Sequence, residues 1–230
     1  MFIAHGYAEH LEWYSGLAQA LARDKMLIFG HDHLGHGLSD GQRGYIKDLE
    51  IYVNHVFFHC TKVKAVFKGV PCYIYGHSMG GLLAIRYVRA WKITATHFRS
   101  TFLIHIRDTG SCEAIIKCVI IMFRASIRNP GFFRGLVLEG PLIRLPATVM
   151  TPLQHLGVKV AAWFLPQLPT TGTLSMEAVT SDPVMQNKIM LDPLRFKGGV
   201  KIGMAAAFMD SVTVSSYYVQ NRVIHEFLNF

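Results

Sequence analysis

Cysteine is scarce in this chain, acidic residues are outnumbered, and long uncharged runs are missing. The four cysteines, Cys60, Cys72, Cys112 and Cys118, show no CxxC spacing. That argues against a zinc ribbon and a dithiol redox motif and leaves reduced thiols as the default. No uncharged run reaches the ~18 residues of a spanning helix, and the most apolar stretch, Ala114 to Phe123, is short and carries Lys117. The opening MFIAHGYAEH has no basic region followed by an apolar core, so no signal peptide is expected and a cytoplasmic location is. Lys and Arg number 23 against 15 Asp and Glu, a formal charge of +8, yet no run of four basic residues occurs. A nucleic-acid surface concentrates its charge on one face or helix, so no nucleic-acid partner is expected. Weak attraction to an anionic membrane surface fits better.

What is present suits one globular domain: 230 residues, 51% of them apolar. Leu17, Ala18 and Leu21 fall at helical spacing within 14–24. KMLIF (25–29) reads as a buried strand running into the glycine-rich GHDHLGHG. A second helix is expected over 48–66, a strand over 72–75, a third helix over 79–89 and a strand over 135–138. Short apolar strands alternating with helices predict an α/β fold with a mostly parallel sheet covered on both faces. The apolar helical stretch 148–165 and further helix-like pieces within 175–214 read as a cap. Residues 90–127 follow neither a two-residue nor a 3.6-residue period.

Gly76-His77-Ser78-Met79-Gly80 fits G-x-S-x-G between a predicted strand and a predicted helix. In that nucleophile elbow the turn lifts a serine hydroxyl into the open, and the flanking glycines keep side chains out of a space that has no room for them. Ser78 is therefore the candidate nucleophile. The backbone N–H of Met79 is one candidate oxyanion donor. That of Tyr7, on the loop HGYAEH after the apolar FIA, is the other. His31, Asp32, His33 and His36 raise the question of a metal, but they lack helical i, i+4 spacing and no second cluster closes a site. A locally hydrogen-bonded loop that buttresses the active-site floor is expected instead, with no metal and no cofactor.

The stretches HGYAEH, FGHDHLGHGLSDGQRG, YIYGHSMGGLLAI and NPGFFRGLVLEGPL resemble the monoacylglycerol lipases of the α/β-hydrolase superfamily, in the group that also holds lysophospholipases and serine aminopeptidase-type hydrolases. The resemblance implies hydrolysis of monoacylglycerol esters through Ser78, with Tyr7 and Met79 as oxyanion donors. It also implies a lid over 148–214, whose Leu153, Leu156, Val160, Trp163, Phe164 and Leu165 would lean into lipid or line an acyl-chain pocket. Measured against that family, the chain looks like one incomplete α/β-hydrolase domain. Residues 1–89 and 128–147 form its core, 90–127 an atypical insertion, 148–214 the lid and 215–230 a divergent tail. The triad Asp and His are not identifiable by motif. Glu139, at the end of the neighbouring strand, is the candidate substitute acid, and His155 or His225 a substitute base. Two readings stay open: a serine hydrolase of monoacylglycerols, lysophospholipids or other esters, and an inactive relative that only binds lipid.

Overall fold

The computed structural model describes residues 1–89, 135–140, 142, 152–170 and 179–220. The expected insertion over 90–127 and His225 lie outside the described residues. β1 (Phe2–Ala4) precedes a 3-10 turn (Leu11–Tyr14) and α1 (Ser15–Arg23), followed by β2 (Phe29–Gly30) and α2 (Leu49–Val66). β3 (Tyr73–His77) leads directly into α3 (Met79–Arg89), and β4 (Gly135–Glu139) follows. α4 (Pro152–Phe164), α5 (Pro183–Leu191) and α6 (Ile202–Gln220) complete the described elements.

The strands form one parallel sheet in the order β2-β1-β3-β4. β1 lies between β2 and β3, pairing Phe2 with Phe29 and with Ile74. Its three residues are fully buried, as a strand covered on both faces requires. Leu49, Tyr52, Val53, Val56 and Cys60 of α2 and Leu82 and Leu83 of α3 pack into the same core. Asp48 starts α2: its carboxylate accepts the Glu50 N–H at 2.9 Å from an extended backbone, which satisfies one of the donors a helix start leaves open.

Two expectations are refined. The strand read over KMLIF begins only at Phe29. Lys25 stands at φ 60°, and the Lys25 and Met26 N–H groups bond back to Ala22 and Leu21, so closing α1 takes up the backbone that the strand needed. The helical block expected as a cap divides in its packing. Met204, Phe208 and Val212 of α6 enter the main core, whereas α4 holds Leu153, Leu156, Val160, Trp163 and Phe164 exposed.

Asp48→Ala should lower stability by about 1 kcal/mol, the usual worth of an N-cap. Urea unfolding followed by far-UV circular dichroism reads the change.

Candidate active site

The end of β3 turns into α3 at Ser78, whose φ of 47° is left-handed although serine carries a Cβ. Such a backbone persists only where its surroundings enforce it, and here the anchors are visible. The Ser78 N–H donates to the Glu139 carbonyl at 3.0 Å, and the Ser78 carbonyl accepts from Leu82 and Leu142 at 3.1 and 3.0 Å. The flanking glycines are required by close approach. A Cβ on Gly80 would stand 2.0 Å from the Ala4 carbonyl oxygen, and one on Gly76 would stand 2.7 Å from the Gly80 backbone. The helix start thus lies against the end of β1, and the HG loop that continues β1 comes beside the elbow.

A carboxylate spans the two. Glu9 accepts the Gly6 N–H at 2.9 Å and the Tyr14 hydroxyl, and its two oxygens lie 3.0 and 3.1 Å from His77 Nδ1. Burial opposes the charge on Glu9, but the hydrogen bond and charge of His77, with Tyr14 and Gly6, outweigh it and lower its pKa below 4.5. Burial also opposes the charge on His77, and the bond to and charge of Glu9, aided by Glu139, raise its pKa above 6.5. A second bridge runs to the residue that follows α5: His10 Nε2 and Trp13 Nε1 approach Asp192 Oδ2 at 2.7 and 2.5 Å. Against desolvation, Trp13 and His10 hold the Asp192 pKa down at about 2.

Of the expected oxyanion residues, Met79 is fully buried at the first position of α3. Tyr7 lies on the HG loop with its hydroxyl donating to the Gly44 carbonyl at 3.0 Å and its ring against His36, Phe196 and Phe208. Glu139 accepts the Tyr75 hydroxyl. His155 sits on α4. Each described histidine around the elbow is engaged elsewhere: His77 with Glu9, His10 with Asp192, and His5 with Gly6 and His33. The His33 N–H donates to His5 Nε2 at 2.8 Å, so His5 carries its proton on Nδ1, toward the Gly6 carbonyl at 2.8 Å.

The loop 30–37 is held by local hydrogen bonds and ring packing. Asp32 accepts the N–H groups of Leu11 and Leu38, each at 2.7 Å, and the buried His33 and His36 rings pack on His5 and Tyr52. Burial drives the pKa of His36 down to about 3 and that of His31 to about 4. Sequence reasoning missed Glu9, Tyr14, His10 and Asp192 as a connected network. Glu9 and His10 stand inside the HGYAEH stretch, but their partners are 68 and 182 residues away, and no local pattern announces them. A cavity of about 410 Å³, lined by Leu11, Tyr14, Phe29 and Leu194 among others, runs along β2 and α1 and does not include Ser78.

A family model described as Serine aminopeptidase, S33 matches residues 1–99 and 119–215. The chain belongs to that family. The family model leaves residues 100–118 unmatched. Among its relatives, the monoglyceride lipase of Rattus norvegicus is 28% identical over 218 residues, 93% of this chain and 57% of that protein. The chain therefore spans a little over half the length of the curated relative that it matches. Two solved structures share the α/β-hydrolase fold. The monoacylglycerol lipase of Paleococcus ferrophilus has a TM-score of 0.66 at 18% identity, covering 94% of this chain and 66% of that one. A soluble variant of the Saccharomyces cerevisiae monoglyceride lipase, solved with a substrate analog, has a TM-score of 0.64 at 21% identity, covering 96% and 61%.

The Glu9–His77 pair yields a pH dependence. Its His77 part is complete below the unfolded pKa of 6.5 and is lost as pH rises through the elevated folded value. Its Glu9 part is complete above 4.5 and is lost as pH falls through the lowered folded value. Glu9→Gln should therefore destabilise most between about pH 4.5 and 6.5, by the roughly 1.5–3 kcal/mol of a hydrogen bond to a charged group. The gap between variant and parent should narrow at pH 9, as urea unfolding at the two pH values will show.

Proposed function

We propose that the protein is a serine hydrolase of lipid esters that cleaves monoacylglycerols to fatty acid and glycerol. The observation that carries this reading is the left-handed Ser78 at a strand-to-helix elbow, supported by the S33 family match and by the monoglyceride lipase relatives. In this reaction Ser78 Oγ attacks the ester carbonyl while a base takes its proton. The tetrahedral oxyanion receives the N–H groups of Met79 and Tyr7, and collapse expels the glycerol alkoxide as the proton returns to it. Water then releases the fatty acid from the acyl-serine. The Glu9 clasp joins the loop bearing Tyr7 to the elbow, the proximity that a two-donor oxyanion hole requires.

The lipid class of the substrate rests on α4 and the loop beyond it. Trp163 is 84% exposed, Leu153 77% and Phe164 74%, an apolar surface suited to a bilayer interface or an acyl chain. No helix among the described residues is long and apolar enough to cross a membrane, so contact through α4 would be peripheral. The second reading, an inactive lipid-binding relative, is favoured by one observation, the prior engagement of the described histidines around Ser78.

A fluorophosphonate probe separates the two. Labelling of the folded chain that disappears in Ser78→Ala, together with release of fatty acid from a monoacylglycerol, supports the hydrolase. A folded chain that takes no label supports the lipid-binding reading. On vesicles of mixed zwitterionic and anionic lipid, Trp163→Ala should weaken co-sedimentation about tenfold or more, given that burying such a side chain is worth about 1.5–3 kcal/mol. Unchanged sedimentation would remove α4 as the contact.

A further inference from the structure

Two thiols lie outside the proposed chemistry. Cys60, on the core face of α2, and Cys72, one residue before β3, are both free and both buried, at 0% and 5% exposure. No CxxC spacing announces the pair, yet the fold brings the two side chains into hydrogen-bond contact. Cys72 Sγ also reaches the Tyr73 carbonyl at 3.9 Å. The two sulfurs are not equivalent. Burial pushes the Cys60 pKa up. The hydrogen bond with Cys60, aided by the Lys64 charge, holds that of Cys72 below its usual value against burial. Every residue from 65 to 71 is exposed, so the connection between the two thiols runs along the surface. Exposed connections of this kind open locally at low cost, which admits a small oxidant.

We propose that Cys60 and Cys72 form a reversible disulfide site, closed by a hydroperoxide and reopened by a thiol reductant. The Cys72 thiolate attacks one oxygen of hydrogen peroxide and the O–O bond breaks. Cys72 becomes a sulfenic acid, and the departing hydroxide leaves as water with the proton that Cys72 had released. The Cys60 sulfur then attacks the Cys72 sulfur and the S–O bond breaks. The second hydroxide carries off the Cys60 proton, again as water. The two thiols lose two electrons and the peroxide gains them. The more acidic thiol is the one that meets the peroxide, and its hydrogen-bonded neighbour stands where a resolving thiol is needed. Sulfurs already in contact have only to close to the ~2.05 Å of an S–S bond. The bond joins α2 to the foot of β3 and closes a ring of residues 60–72. Ser78 follows the opposite end of β3, so this site is independent of the hydrolase reading.

The test treats the full 230-residue protein with hydrogen peroxide, blocks remaining thiols with an alkylating agent and maps peptides by mass spectrometry without reduction. A peptide pair linking Cys60 to Cys72, two hydrogens lighter than its parts and separated by dithiothreitol, is expected. The link should persist in Cys112→Ser/Cys118→Ser and vanish in Cys60→Ala and in Cys72→Ser. Closing the ring should raise the midpoint of thermal unfolding by roughly 5–10 °C, and dithiothreitol should reverse the rise. The mapping needs no activity, so it reads the same whether or not Ser78 takes a label. Three results overturn the proposal: both thiols stay open to alkylation after peroxide, Cys72 passes to a sulfinic acid without a link, or the link formed runs to Cys112 or Cys118 instead.

Discussion

The candidate site depends on one backbone-to-backbone contact. The start of α3 lies so close to the end of β1 that a Cβ on Gly80 would stand 2.0 Å from the Ala4 carbonyl oxygen. Because no side chain separates them, the loop leaving β1 and the turn leaving β3 are forced to the same edge of the sheet. The ladder between β1 and β3, from Phe2–Ile74 to Ala4–Gly76, ends where that contact begins. Sheet register therefore sets the relative height of Tyr7 and Ser78, and the glycines decide how near they come.

Electrostatics then fixes what sterics only permits. Glu9 takes a backbone N–H from the HG loop, a hydroxyl from the turn before α1 and the imidazole of the elbow. A buried carboxylate is costly unless it is fully paired, so these contacts must form together or the charge is lost. The same logic operates at Asp192, which follows α5 and meets His10 and Trp13. His10 is the next residue after Glu9, so two adjacent positions tie one loop to the elbow and to the end of α5.

The α/β class was legible because short apolar runs alternated with helical ones, and every strand proposed has a counterpart in the sheet, with KMLIF shortened to its last residue and Gly30. The elbow was legible because G-x-S-x-G is a local device whose backbone demands fall on adjacent residues. Gly76, His77, Met79 and Gly80 belong to that same local stretch, whereas Tyr7 was expected from the separate HG loop after FIA, and its part as a donor is a proposal. The contacts of Glu9, Tyr14 and Asp192 were not legible, since their meaning lies in partners brought close only by the sheet and the loop after α5. The divided fate of 148–214 was also hidden. In sequence α6, which buries Met204 and Phe208, and α4, which exposes Trp163, are about equally apolar. What differs is the surface each meets, and no period records that.

Burial sets a condition on any base that serves Ser78. General-base catalysis works best when the pKa lies near the operating pH. His36 and His31, driven to about 3 and 4 by desolvation, hold protons too weakly. His77 lies on the other side, since the bond to Glu9 raises its pKa and its ring holds a proton more tightly. Packing and pairing have thus tuned these rings away from proton transfer, and the tuning is the source of their structural worth. A base for Ser78 needs the intermediate condition: an imidazole only partly desolvated, oriented by an acid on one nitrogen and open to the Oγ on the other. That requirement is electrostatic before it is positional. It explains why an abundance of histidine among the described residues does not by itself amount to a triad.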